Sequence, residues 1–143
     1  MLADGLPERL EARLERGRAA ARARMRSRCT VKRKTGATTK DSEGFTVPVW
    51  ATVHTDLPLR LAGVARGAAS SRAAKVGGAE TQIPVRVANL PHDTTDLADG
   101  DLIEIDVGEN AGLVLQIVEA TWQDQATARR IPVTGTERPE EWG

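Results

Sequence analysis

Between Leu6 and Met25 the apolar positions recur at helical spacing: Leu6, Leu10, Leu14, Ala21 and Met25 fall within about 100° of one another on a helix. The intervening residues are mostly charged, so the pattern predicts an amphipathic helix with one narrow apolar stripe. Asp4 or Gly5 is placed to cap its start, and Pro7 falls in the first turn, where a missing N–H costs nothing. Glu8, Glu11 and Glu15 lie toward the positive end of the helix dipole, and the arginines accumulate toward its negative end. Gly17 is a weak point in the middle, worth roughly 1 kcal/mol relative to alanine.

From Cys29 onward the period changes from helical to two. Strands are predicted at 29–34, 46–53, 57–62, 82–88, 101–107, 112–122 and 129–135, with turn formers between them. Pro48 lacks a ladder donor, so its strand belongs at a sheet edge or at a bulge. No helical crossover separates the strands, which disfavours parallel βαβ units. The expected fold is therefore mainly β: a small antiparallel barrel or sandwich of about seven strands, preceded by an N-terminal α-helix.

This divides the chain into a basic helical arm (1–28), a β-barrel domain (29–135) and a flexible acidic tail (136–143) that is unfolded except around Trp142. Inside the barrel domain, residues 63–80 are mostly Gly, Ala and Ser, with Arg66, Arg72 and Lys75 among them. They predict a long inserted loop, with a short alanine-containing helix as the alternative.

Charge sharpens this division. The net charge is zero, yet residues 1–34 carry eleven basic and four acidic side chains, and the remainder carries nine and sixteen. A +7 segment joined to a −7 domain implies either nucleic-acid contact at one end or docking onto differently charged neighbours. The lone Cys29 excludes an intramolecular disulfide and a cysteine zinc site within one chain. No apolar run approaches the roughly 18 residues that span a bilayer, and charges from Glu8 onward interrupt any signal-peptide core. The expectation is a protein with no membrane association.

Chemistry-bearing constellations are sparse. His54 with Asp56, and His92 with Asp93 and Asp96, read as turn residues rather than metal ligands. The carboxylates of 93–101 lack EF-hand spacing. There is no Walker loop, no GxGxxG and no nucleophile elbow. Phe45, Trp50, Trp122 and Trp142 are read mostly as packing residues, too few for a single-strand stacking platform. The chain is expected to be non-enzymatic, with no cofactor and no metal.

The order of features carries one resemblance. A basic helix leads into 29-CTVKRK-34, and the turn 41-DSEG-44 precedes 46-TVPVW-50. The small-residue excursion follows, then 83-IPVRV-87, 100-GDLIEI-105, 113-LVLQIVEA-120 and 130-RIPVTG-135. Over about residues 6–135 this resembles the head-closure, or head–tail connector (stopper), proteins of long-tailed phages, most specifically those of actinobacterial phages. The resemblance implies a ring of identical subunits, six or twelve, in the neck of the virion and assembled in the host cytoplasm. Its partners would be the portal and adaptor proteins on one side and the tail tube or tail terminator on the other, with non-specific contact to packaged DNA. It implies no catalytic residue.

In that setting Leu6, Leu10, Leu14, Arg18, Arg22 and Arg24 are the expected partner-docking arm. Arg66, Arg72 and Lys75 are expected to face the channel or the tail. The competing reading is a small nucleic-acid-binding barrel with a basic arm; a third is an enzyme whose site forms between subunits.

Overall fold

The computed structural model describes residues 6–62, 71–76, 79–120 and 126–142. Helix α1 (Leu6–Arg24) is followed by β1 (Ser27–Lys40), β2 (Thr46–Ala62), β3 (Ser71–Val76), β4 (Ala79–Pro84), β5 (Arg86–Pro91), β6 (Leu102–Val107), β7 (Val114–Ile117) and β8 (Ala128–Thr136). A 3-10 turn, Glu140–Trp142, follows β8. Six strands form a closed antiparallel barrel in the order β1-β2-β5-β8-β7-β6, while β3 and β4 pair only with each other. The fold is the expected mainly β barrel with an N-terminal helix.

Alternation builds the core. Cys29 and Val31 on β1, Leu59 on β2, Ala88 and Leu90 on β5, Ile103 and Ile105 on β6, Leu115 and Ile117 on β7, and Ile131 and Val133 on β8 point inward and are essentially unexposed. Their neighbours point outward, because successive side chains in a strand take opposite faces. A second, small cluster joins Ala21 and Met25 of α1 to Ala128. The helix therefore lies on its own barrel near β5 and β8. Gly17 allows the close approach: a Cβ there would stand 2.8 Å from the Thr127 methyl.

The strands are longer and less regular than their sequence suggests. The segments expected at 46–53 and 57–62 form one strand, β2, bent by extra residues where Cys29 pairs Leu57 and Val31 pairs His54. Asp56, at φ 50°, absorbs that bulge. β1 continues through the supposed turn at 35–40, with an irregularity at Thr35–Ala37 that Gly36 (φ 87°) accommodates. Beyond Lys32, β1 no longer pairs with β6, so the distal parts of β1 and β2 project as a two-stranded arm. Pro48 lies in that arm, where β2 has only β1 beside it.

Three expectations are corrected. Residues 71–76 pair with 79–84 where an open loop or helix was expected at 63–80, and the strand expected at 82–88 divides between β4 and β5. Val76 pairs with Ala79, while Gly77 and Gly78 lie outside the described residues. Of the strand expected at 112–122, only Val114–Ile117 is strand among the described residues. The terminal segment is not a free tail: Trp142 meets Trp50 edge to face at 5.1 Å, and Arg138 pairs with Glu104 on β6.

Candidate functional site

On the outer wall of the barrel the register aligns Arg60 of β2 with Asn89 of β5, and Asn89 with Arg130 of β8. All three face outward, because Leu59, Leu90 and Ile131 beside them face the core. With neighbouring strands about 4.8 Å apart, the two arginine stems stand roughly 10 Å from each other. Helix α1 supplies a third arginine, Arg24, and walls off one side with Ala21 and Met25. The groove so formed holds about 440 Å³ and is floored by Ala62, Val87 and Ala128.

Asn89 donates its Nδ2 hydrogen to the Arg60 carbonyl at 3.3 Å, which fixes it between the two guanidinium stems. No carboxylate is among the described residues lining this groove. Three permanent positive charges over an apolar floor suit a partner that is both anionic and partly apolar. None of Arg60, Asn89 and Arg130 stood out in the sequence.

The expected docking arm is only partly available. Leu10 is 58% exposed and Leu14 is half-buried, and with Pro7 and Thr127 they border an apolar cavity of about 500 Å³. The side chain of Leu6 lies outside the described residues. Arg18, however, donates from Nε to the Ala126 carbonyl at 3.2 Å, and Arg22 lies 3.7 Å from Asp93. Both act within their own chain, because the turns of α1 that carry them run along the barrel wall. Arg24 belongs to the groove. Of the expected channel-facing residues, Arg66 lies outside the described residues; Arg72 and Lys75 sit on β3, paired with Ile83 and Glu80.

The described aromatics, read mostly as packing residues, lie outside the barrel core. Phe45 is 66% exposed at the tip of the β1–β2 arm. Trp50 and Trp142 form an outer cluster with Lys34 5.5 Å over the Trp50 ring and Lys32 4.3 Å over Trp142. Trp50 donates its indole N–H to Glu141 at 2.9 Å. That bond, above all, holds the Glu141 carboxyl below its ordinary range. Trp122 lies outside the described residues.

The carboxylates of 93–101 serve the fold. Asp101 receives two bonds from Arg33, and Asp99 caps the Ala120 N–H at 2.7 Å. His54 Nε2 sits 2.6 Å from the Thr95 carbonyl. Among the described residues, no three His, Cys, Asp or Glu side chains converge to hold a metal, and no helix is long and apolar enough to cross a membrane.

Residues 17–134 match DUF6093, a family of unknown function. No curated protein matches the chain. Among solved structures, the fold is similar to the solution structure of protein SF1141 from Shigella flexneri 2a. That match has a TM-score of 0.52 and 20% identity, and covers 78% of this chain and 93% of the other.

Proposed function

The chain belongs to the DUF6093 family, and we propose that it is a virion connector: a head-closure subunit that assembles as a ring between portal–adaptor proteins and the tail. In this role it closes the DNA-filled head and presents a docking surface to the tail tube or terminator. One observation carries the reading, namely how a small barrel distributes its projections. The N-terminal half of α1 carries the exposed Leu10, the β1–β2 arm extends past the pairing with β6, and β3–β4 forms a sheet of its own. A subunit stacked between two other rings needs separate surfaces for the ring above, the ring below and its lateral neighbours. The resemblance in element order supports the same role.

The test is direct imaging of particles of the encoding phage. A ring of six-stranded barrels should appear in the neck, and a nonsense mutation in the gene should yield filled heads and free tails that do not join. Particles that lack the chain by mass spectrometry, or that join tails without it, overturn the reading.

A second reading, a nucleic-acid-binding barrel, is favoured by the Arg24–Arg60–Arg130 groove. It predicts duplex binding whose logarithmic salt slope is about −0.9 per phosphate neutralised, hence near −3 for three arginines. A weak, shallow salt dependence in an anisotropy titration removes it.

A further inference from the structure

The turn joining β6 to β7 lies on the other side of the barrel from the basic groove and has the opposite character. Val107 is 56% exposed and Leu113 41%, and the exposed carboxylates Asp106 and Glu109 flank them. The turn is a fixed shape. Gly112 donates to the Ile105 carbonyl at 2.8 Å, Leu113 to Asn110 at 3.1 Å and Ala111 to Gly108 at 3.2 Å. Gly108 adopts φ +121°, and a Cβ there would collide with the Ser27 side chain, so the turn presses against the start of β1. A rigid knob loses little conformational freedom when it binds.

The barrel order puts knob and groove on different walls. The groove spans β2, β5 and β8, and in the cycle β1-β2-β5-β8-β7-β6 the strand β6 stands opposite β5. The knob therefore faces away from the groove of its own chain. The two are linked through β1, where Arg28 pairs with Val107 on one side and with Pro58 on the other, and Pro58 is two residues from Arg60. A contact between them therefore relates separate copies of the chain.

The chemistry of the two surfaces matches. The groove offers three guanidinium groups above small apolar side chains, and the knob offers two carboxylates around two exposed aliphatic side chains. Arg28, the basic residue beside the knob, is engaged by Asp56 at 3.9 Å. We propose that the β6–β7 knob of one copy seats in the Arg24–Arg60–Arg130 groove of the next. The contact is heterologous, so it propagates head to tail and closes into a ring where the rotation allows. The inference rests on the connector reading for its setting and adds to it the residues that join neighbours.

Two variants test it by sedimentation of the purified full chain. R60E/R130E removes the groove and keeps the knob; D106R/E109R removes the knob and keeps the groove. Each alone should stay monomeric at concentrations where the wild type associates. An equimolar mixture should regain assembly with the two chains alternating, since the native knob fits the native groove and the reversed knob fits the reversed groove. That outcome also shows that both variants fold. Combining all four substitutions in one chain should restore higher assemblies by reversing both charges.

Variants that associate like the wild type overturn the interface, as does a wild type that remains monomeric at about 1 mM, where even a weak specific contact is populated. If R60E/R130E loses duplex binding while its assembly is unchanged, the groove is a nucleic-acid site. None of these measurements involves a particle, so the interface can fail while the chain is still found in the neck, and the reverse.

Discussion

Both carboxylate oxygens of Asp101 are taken by the Arg33 guanidinium, at 2.8 Å each. Asp101 is 2% exposed, whereas a third of the Arg33 side chain reaches solvent. The same guanidinium also bonds the Asp96 carbonyl at 2.9 Å and its carboxylate at 3.2 Å, and Asp101 accepts from the Ala98 N–H at 2.9 Å. One fork thus ties β1 to the loop that launches β6.

Asp101→Ala should therefore lower stability by about 3 kcal/mol, because it strands a bidentate arginine and an amide together. Arg33→Ala leaves a buried carboxylate unpaired and should cost a similar amount, reduced by solvent screening on the exposed side of the pair. Urea unfolding of both single variants and the double variant should show coupling of about 1–3 kcal/mol. Additive losses would mean that the two residues act separately.

The Cys29 thiol is pushed up to about 12, first by burial in the core and then by the Asp106 carboxylate. Its folded value is raised, so the associated stability is complete below the unfolded value of about 8.5. It declines as pH rises toward about 12. Native protein should resist alkylation near pH 8 and react fully in denaturant, and Cys29→Ala should flatten the alkaline loss of stability. Fast native labelling contradicts this placement.

The terminal segment should respond to acid. The Trp50 indole bond is the main cause that lowers the Glu141 carboxyl. The sign is that of a depressed acid: its contribution is present above the ordinary glutamate value of about 4.3 and is lost as pH falls through the lower folded value. Tryptophan emission should shift to the red below about pH 4 as Trp142 leaves Trp50 and Lys32, with barrel circular dichroism unchanged. Glu141→Gln should show much less of that pH dependence. A pH-independent spectrum in the native chain would mean that the segment is held by Arg138 and ring packing instead.

The barrel was legible where apolar side chains alternate strictly, as at Cys29/Val31, Ile103/Ile105 and Ile131/Val133. It was not legible at β3 and the start of β4, where Ala73, Ala74 and Ala79 give almost no contrast between two faces; residues 82–84 were read into the strand expected at 82–88. Gly77-Gly78, a hairpin connection by composition, was the available signal. The basic groove could not be seen at all. Arg60, Asn89 and Arg130 come from three distant segments, and only cross-strand register makes them neighbours. The arm was half legible: the spacing gave the stripe, but nothing in it said that Ala21 and Met25 would close on Ala128 while Leu10 stayed exposed.

That division of the stripe sets the last prediction. The stripe was expected to serve as one docking arm, but its two halves have different roles. Met25 is 4% exposed and Ala21 7%, packed on Ala128, and Arg18 bonds the Ala126 carbonyl. Met25→Ala should thus lower stability by about 2 kcal/mol, the low end for a core truncation, because this cluster is small and lies at the rim. Leu10→Ser, at an exposed position, should change stability by less than about 0.5 kcal/mol. If the N-terminal half docks on a neighbouring ring, Leu10→Ser should still impair head–tail joining. Deleting residues 1–15 should do the same and leave the melting temperature nearly unchanged, whereas deletion through residue 26 should lower it clearly. A large stability loss from Leu10→Ser or from the short deletion would place that half of the helix in the subunit's own core and remove it from docking.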